Sequence, residues 1–179
     1  MSEFPRLETP IPVVETERLL LRGHRQDDFA PSIAMWTDPL VVRHLRSGSM
    51  SEEDVWTKFL RMAGHWAWMG FGNWAIEEKS TGRFVGEVGF VDRRRSVDPA
   101  LDGLPEIGWA LASTAQGKGY AAEAIREAHV WGAGHFGPVR TWCIINPENV
   151  PSIRLAQRCG YEEFARVNYK GLPRVVFRR

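Results

Sequence analysis

A turn with two glycines connects an apolar strand to a helix near the middle of this chain of 179 residues. The strand pattern covers residues 106–111, and the helix pattern places apolar residues at Ala121, Ala124, Ile125 and Ala128. Gly117 and Gly119 allow the backbone to approach a ligand closely, while a helix start presents unpaired N–H groups and the positive end of the helix dipole. The turn therefore predicts a binding site for a phosphate or diphosphate group.

Three phosphate-binding patterns compete for this turn. A Walker A loop requires glycine at 112 and serine or threonine at 119, but the chain has Ala112 and Gly119. The dinucleotide fingerprint G-x-G-x-x-A is matched by Gly117, Gly119 and Ala122, yet no acidic residue ends the next strand. Such a unit also usually opens its domain, whereas several predicted helices and strands precede this turn. These points favour the remaining pattern, Gln-x-x-Gly-x-Ala, which begins at Gln116.

Hydrophobic periodicity places the other elements along the chain. Strand patterns cover residues 17–24, 74–76, 84–90, 106–111, 139–145, 161–169 and 174–178. Helix patterns begin at Asp27, at a capping box of Ser51 and Asp54, after the glycine turn, and at Asn149. The helix after the turn is expected to end near Gly132 and Gly134. With no repeat or linker visible, we predict one domain over residues 1–179, of which residues 1–12 form a flexible extension.

Composition and charge narrow the class of protein. Lys plus Arg (23) nearly balance Asp plus Glu (22), and the formal charge of +1 favours neither nucleic acid nor an anionic membrane as a partner. No apolar run reaches about 18 residues, so no membrane span is expected. Cys143 and Cys159 suit a reducing cytoplasm as buried free thiols, and the histidines lack metal-ligand spacing. We therefore expect a cytoplasmic protein without a metal.

Four segments carry a family pattern: residues 15–22 (ETERLLLR), 106–111 (EIGWAL), 116–121 (QGKGYA) and 149–161 (NVPSIRLAQRCGY). In this order and spacing they resemble the GNAT acetyltransferases, in particular the RimJ/RimL-like branch. The first two are similar to the first and fourth strands of that branch, and the third to its pyrophosphate loop. The last is similar to its Asn-x-x-Ser helix and the following Gly-aromatic pair. The resemblance spans nearly the whole chain.

The resemblance implies a GNAT fold of the α/β (α+β) class. Its mixed, mostly antiparallel sheet would have about six to seven strands and about four flanking helices. The strands at 106–111 and 139–145 would splay apart at a bulge near 110–112. Acetyl-CoA would place its pantetheine arm in that gap, where free backbone groups pair with the arm.

The same resemblance implies a set of cofactor-binding residues. They are Ala110, Leu111, Gln116, Gly117, Lys118, Gly119, Tyr120, Ala121 and Asn149. Asn149 has an alternative role as the cap of its own helix, because an asparagine side chain accepts readily from the first backbone N–H groups.

Activity of this type transfers an acetyl group to a primary amine by direct attack in a ternary complex. The amine must lose a proton, since a lysine amine has a pKa near 10.4 and an α-amine near 7.7 to 8.0. Glu106, beside the expected thioester, is the first candidate for the general base, acting directly or through water. Its alternative role is a surface ion pair with an arginine of residues 93–95. Glu87, on the neighbouring strand, is a second candidate.

The leaving thiolate also needs a proton donor. Many GNAT enzymes supply a tyrosine seven residues after the asparagine, but Ala156 stands at that position. Ser152, which resembles the serine of the RimJ/RimL-like branch, is therefore the candidate donor, with a helix-capping role as its alternative.

Aromatic residues before the predicted hairpin are candidates for the acceptor site. We expect Trp68, Phe71 and Trp74 to line it, together with Glu87, although aromatic side chains at helical spacing are commonly core. The arginines at 93–95 would meet an acidic acceptor or the cofactor phosphates, or form a solvated turn.

The acceptor itself is left open by the sequence. It is either a protein N-terminal amine or a small-molecule amine, and the protein is either a monomer or a homodimer. A catalytically inert CoA-binding or regulatory module is the alternative to an enzyme.

Overall fold

An eight-stranded sheet with helices packed on it forms the described part of the chain, which covers residues 10–44 and 50–179 of a computed structural model. The strands are β1 (Val14–Glu15), β2 (Leu19–Arg22), β3 (Asn73–Glu78), β4 (Arg83–Val91), β5 (Glu106–Leu111), β6 (Trp142–Ile145), β7 (Glu162–Tyr169) and β8 (Leu172–Arg178). The helices are α1 (Phe29–Thr37), α2 (Pro39–Val42), α3 (Glu52–Met69), α4 (Tyr120–Phe136) and α5 (Val150–Arg158).

Strand pairing confirms the predicted mixed sheet. The spatial order is β1-β2-β3-β4-β5-β6-β8-β7, and the pair β5 and β6 is parallel while the other neighbours are antiparallel. Two elements escaped the sequence analysis, the two-residue β1 and the four-residue α2, because neither is long enough to show a period.

Helix α3 begins and packs as the sequence indicates. Ser51 Oγ accepts from Asp54 N at 3.1 Å, and Asp54 Oδ2 accepts from Ser51 N at 3.1 Å, which closes the predicted capping box. The apolar stripe of this helix is buried, at Val55, Phe59, Met62 and Trp66. Its opposite face is exposed to solvent.

Helix α4 is longer than expected and runs through both glycines at which it was predicted to end. A Cβ atom at Gly132 would lie 2.9 Å from the ring of Phe90, a residue of β4 with no solvent exposure. Gly132 is therefore a site of close helix-to-sheet packing rather than a helix stop. Gly137, at φ 73°, ends the helix.

The sheet opens between β5 and β6. Register between these strands is limited to Glu106 opposite Trp142, whereas β5 pairs with β4 along its whole length. The predicted splay is thus confirmed, but the predicted bulge near 110–112 is wrong, because Ala112 N still donates regularly to Val85 O at 3.0 Å. The gap arises because β6 diverges, while β5 itself stays regular.

The amino-terminal residues before β1 are only partly described. Residues 1–9 of the expected extension lie outside the described residues, but Pro12 O accepts from Trp74 Nε1 at 2.8 Å, which fixes the chain to the core by residue 12. Cys143 and Cys159 are free and buried. In the described ranges no helix has the length and apolar character to cross a membrane.

The two glycines of α4 give a matched pair of substitutions. Gly134→Ala should stabilise the protein by about 0.5–1 kcal/mol, because alanine is the better helix former and a Cβ there meets nothing within 4 Å. Gly132→Ala should instead destabilise the protein. Overpacking against Phe90 costs about 1–3 kcal/mol, and the same gain in helix propensity offsets only part of this cost. Urea unfolding followed by tryptophan fluorescence measures both, and equal effects of the two changes would contradict the packing role of Gly132.

Candidate active site

The open edge of β5 is the backbone feature on which the site is built. Trp142 N donates to Pro105 O at 3.1 Å, so Pro105 O faces β6, while Ala112 N faces β4. Because the hydrogen-bonding groups of successive residues alternate sides along a strand, the backbone of Trp109 faces the gap. Its N–H and C=O are placed to pair with an extended ligand lying between the strands.

A cavity of about 440 Å³ occupies this gap. Five of the residues assigned to the catalytic, cofactor or acceptor site line it: Glu87, Glu106, Ala110, Asn149 and Ser152. They come from β4, β5 and the start of α5, so the parting of the strands brings together residues distant in sequence.

Glu106 lies at the closed end of the gap, where β5 and β6 still pair. Its Oε2 accepts from Arg95 Nε at 2.8 Å, and its Oε1 lies 3.6 Å from Arg93 Nε. The side chain is 6% exposed. The alternative role predicted for Glu106, an ion pair with this arginine run, is therefore present, but in buried form and on the cavity wall.

Glu87 is held on the same wall by a different set of groups. Its carboxylate accepts from Trp36 Nε1 at 3.1 Å and pairs with the buried Lys58 ammonium, and His24 Nε2 lies 3.8 Å away. Burial raises the pKa of Glu87, but the positive charges of Lys58 and His24 lower it by more than burial raises it. The pKa therefore falls from its usual 4.5 to about 2. A carboxylate of this kind is a fixed negative charge and a poor proton acceptor near neutral pH.

Lys58 is a residue that the sequence analysis missed. It lies three residues after Val55 and four before Met62, on the buried face of α3, and a lysine on an apolar helix face is the signal that would have found it. Burial lowers the pKa of Lys58, and the Glu87 carboxylate opposes this effect. Its Nζ also lies 4.2 Å from the centre of the Trp36 ring.

The start of α5 presents the next two candidates. Asn149 is the N-cap, and its Oδ1 accepts from Ser152 N at 3.2 Å. Helix capping was the alternative role for both residues, and Asn149 has it while Ser152 does not. Asn149 also lines the cavity. Ser152 is half-buried and lines the cavity.

The glycine turn lies beyond the other end of β5, at the start of α4. Gly117 and Gly119 have φ of 78° and 83°, a region that residues with side chains rarely adopt. A Cβ at Gly117 would meet nothing within 4 Å, so the space beside it is open. Gly119 is the N-cap and has no side chain to cap with, which leaves the first N–H groups of α4 directed at that space.

The remaining turn residues fix its position. Gln116 Nε2 donates to Leu111 O at 3.1 Å, which ties the turn to the end of β5. Tyr120 is buried, with its hydroxyl donating to Glu78, and Ala121 packs against the core. The Lys118 side chain is half-exposed, 4.0 Å from Glu78.

Arg18 and Glu123 support this turn from outside, and neither was predicted to do so. Arg18 Nη1 donates to Lys118 O at 2.9 Å, and its Nε donates to Glu123 Oε2 at 2.7 Å. Glu123, in the first turn of α4, also accepts from the Arg18 backbone at 2.9 Å. The sequence did contain one indication, since Glu123 is an acidic residue in the first turn of a helix, where a negative charge interacts favourably with the helix dipole.

The three aromatic residues predicted for the acceptor site lie elsewhere. Trp68 is 88% exposed on the outer face of α3, and Phe71 packs against Phe136 with ring centres 5.1 Å apart. Trp74 is fully buried against Trp131 of α4. Because side chains alternate along β3, its neighbour Asn73 faces the cavity instead. None of the three predicted aromatics lines the cavity; Trp36 and Trp109 do.

Comparison with known proteins decides the family. A model of the Acetyltransferase (GNAT) domain matches residues 18–162. The chain belongs to the GNAT acetyltransferase family. A curated relative, the uncharacterized N-acetyltransferase p20 of Bacillus licheniformis, is 28% identical over 149 residues, which cover 83% of this chain and 81% of that protein.

Solved GNAT structures share the fold over nearly the whole chain. One from Bordetella pertussis, named as a candidate GNAT-family acetyltransferase, is 30% identical with a TM-score of 0.81 and covers 94% of this chain and 99% of its own. RimL, a ribosomal L7/L12 α-N-protein acetyltransferase solved with coenzyme A, is 15% identical with a TM-score of 0.73, covering 94% and 97%. At that identity the RimL likeness shows the fold alone.

Acid pH should weaken the fold through Glu87. A carboxyl group whose pKa is lower in the folded state stabilises the fold above its unfolded pKa, here about 4.5, and this contribution is lost as the pH falls towards 2. Between about pH 5 and pH 2.5 the wild type should lose up to about 3 kcal/mol more unfolding free energy than the double variant Lys58→Met/Glu87→Gln. Urea titrations across this range test it, and equal acid slopes would contradict it.

Proposed function

We propose that the protein transfers an acetyl group from acetyl-CoA to a primary amine, by direct attack of the amine on the thioester in a ternary complex. The acceptor is either a protein N-terminal amine or a small-molecule amine. The observation that carries this proposal is the gap beside β5, with a buried carboxylate, Glu106, at one end of the strand and the glycine turn that begins α4 beyond the other.

The residues present fit acetyl-CoA. Amides of the pantetheine arm would pair with the open backbone of Trp109, between Ala110 on one strand and Asn149 on the facing helix. The diphosphate would lie at residues 116–121, where the glycines leave space and the helix start supplies N–H donors. Lys118, half-exposed on this turn, would add a positive charge near the phosphates.

Glu106 is the proposed general base. Its Oε2 accepts from Arg95, while its Oε1 has, among the described residues, only the longer contact to Arg93, and is the oxygen that an amine or an ordered water would use. As the amine nitrogen bonds to the thioester carbon, its proton passes to Glu106 directly or through that water. Glu87 suits this role less, because Lys58 and His24 hold its pKa at about 2.

Ser152 is the proposed donor to the leaving group. The C–S bond breaks as the tetrahedral intermediate collapses, and the departing thiolate needs a hydrogen-bond donor to stabilise its charge. The Ser152 hydroxyl lines the cavity at the start of α5, where the positive end of the helix dipole adds to the same effect.

Coenzyme A binding should depend on the open space at Gly117. Gly117→Ala is expected to raise the dissociation constant at least tenfold, about 1.4 kcal/mol, because the new Cβ enters the space left for the diphosphate. Gly103→Ala is the matched control, since Gly103 has a φ of 75° and equally open surroundings but precedes β5, outside the turn at residues 116–121. Isothermal titration calorimetry measures the dissociation constant of both variants. An equal increase in the two would mean that backbone strain, and not the lost space at Gly117, weakens binding.

Turnover should depend on Glu106 and Ser152. Glu106→Gln is expected to lower kcat/KM about 100-fold, about 2.7 kcal/mol, and Ser152→Ala about tenfold, with coenzyme A affinity within about threefold of wild type in both. Thiol release from acetyl-CoA with a panel of amines provides the measurement. Retention of kcat/KM within about threefold in both variants would refute these assignments, and a wild type that binds coenzyme A but acetylates no amine would favour the inert module.

A further inference from the structure

Positive charge is concentrated at the end of the cavity that contains Glu106. A second cavity of about 360 Å³ adjoins the first and shares much of its wall. The cationic side chains that line the two are Lys58, Arg61, Arg93, Arg94, Arg95, Lys170 and Arg174. The carboxylates that line them are Glu87, Asp92 and Glu106, so cations outnumber anions there although the whole chain is nearly neutral.

The carboxylates already have cationic partners. Glu87 pairs with Lys58, Asp92 pairs with Arg94 at 3.1 Å, and Glu106 contacts Arg93 and Arg95. The other three cations, Arg61, Lys170 and Arg174, form no ion pair with any carboxylate in the described ranges. We call these three residues the free cations.

Repulsion between neighbouring arginines contributes to lowered pKa values in this group. Burial lowers the pKa of Arg174, and the neighbouring Arg95 lowers it further. Burial also lowers the pKa of Arg93, and although Glu106 opposes this, Arg95 and Arg61 add to it. A bound anion would relieve this repulsion.

Coenzyme A phosphates do not account for this charge. The free cations lie near the two arginines that contact Glu106: Arg61 is a neighbour of Arg93, and Arg174 is a neighbour of Arg95. Arg95 also lies 5.0 Å from the ring of Tyr169, which precedes Lys170. The glycine turn, by contrast, follows the Leu111 end of β5. At about 3.3 Å per residue, the ends of this six-residue strand are roughly 17 Å apart. The pantetheine arm between them carries no charge, so the anion that the free cations would bind belongs to the acceptor.

Asn73 supplies an uncharged hydrogen-bond acceptor on the wall that both cavities share. It is 7% exposed, and its Nδ2 lies 3.8 Å from Met62 Sδ. Its Oδ1 is buried and has no hydrogen-bond partner among the described residues. An amine N–H of a bound acceptor would satisfy this oxygen.

Lys170 occupies a position that favours other residues. With Gly171 it forms the two-residue turn between β7 and β8, at φ of 53° and 78°. Positive φ at both positions is the type I′ turn, in which asparagine followed by glycine is preferred. A lysine in the left-handed region is disfavoured by the backbone, yet it places a cation at the cavity.

We propose that the acceptor is a small amino acid, an amine that also carries a carboxylate, and that Arg61, Lys170 and Arg174 bind that carboxylate. Asn73 Oδ1 accepts from its amine, on the same side of the cavity as Glu106. The free cations come from α3, the β7–β8 turn and β8, so they enclose the anion from several sides, which suits a small molecule better than a continuing peptide chain. This inference rests on the proposed acetyltransferase function and specifies its acceptor.

Matched acceptors test the inference directly. The full chain is assayed with acetyl-CoA against amino acids and their carboxamides, and kcat/KM should be at least tenfold higher for the acids. Arg61→Gln, Arg174→Gln and Lys170→Asn should each reduce this preference about threefold or more, through KM rather than kcat. Asparagine is the residue favoured at this position of the turn. Lys170→Asn should therefore lower the ratio of kcat/KM between acids and carboxamides without lowering the thermal stability.

Controls separate the charge effect from general damage. Arg166→Gln, an exposed arginine of β7 that lines neither cavity, should leave the preference unchanged. Equal kcat/KM for acids and carboxamides, or a tenfold preference for peptides with an acidic second residue, would overturn the amino-acid proposal while leaving acetyl transfer intact.

A binding measurement covers the case without turnover. Calorimetry with coenzyme A present should show N-acetylamino acids binding at least tenfold more tightly than N-acetylamino acid amides. Equal affinity of the two, or no binding of either, would overturn the anion site. Absence of coenzyme A binding and of turnover with every amine would instead refute the proposed function.

Discussion

The backbone hydrogen bonds of β5 are satisfied on one side by β4 and, after a single residue pair, are left open on the other. An interior strand normally has partners on both sides, because unpaired backbone groups that are also removed from water are costly. The neighbouring strand β6 diverges from β5 but stays in the sheet through its other edge, which pairs antiparallel with β8 at four residue pairs from Trp142 to Ile145. The ligand-sized gap is therefore a consequence of sheet topology, and the surrounding side chains refine a space that the backbone has already made.

Local signals in the sequence carried the fold prediction a long way. The capping box at Ser51 and the glycine turn before α4 are set by neighbouring residues, and the structure contains both. The family segments then supplied the mixed, mostly antiparallel sheet and the splay between the strands at 106–111 and 139–145, which no local pattern contains. Gly132 misled the analysis because a glycine that allows close packing and a glycine that ends a helix look identical in sequence.

The candidate site was predicted in part, for a physical reason. Glu106, Asn149 and Ser152 lie next to motif residues and were found through them. Trp74 was expected to line the acceptor site but is buried in the core, and its neighbour Asn73 lines the cavity, because successive side chains along a strand point to opposite faces. Arg18 and Glu123 meet only in the folded chain, at a separation of 105 residues, so their support of the turn was invisible beforehand.

Strand β8 has a consequence for the order in which the molecule is assembled. It follows every other strand in the sequence, yet it lies between β6 and β7 in the sheet. Until residues 172–178 are in place, β6 is attached to the sheet by a single residue pair with β5 and lacks the four pairs that it makes with β8. During synthesis the wall that β6 contributes to the cavity, at residues 143–145, is therefore fixed only after residues 172–178 have been made. A nascent chain that stops before them would have the glycine turn but not this wall.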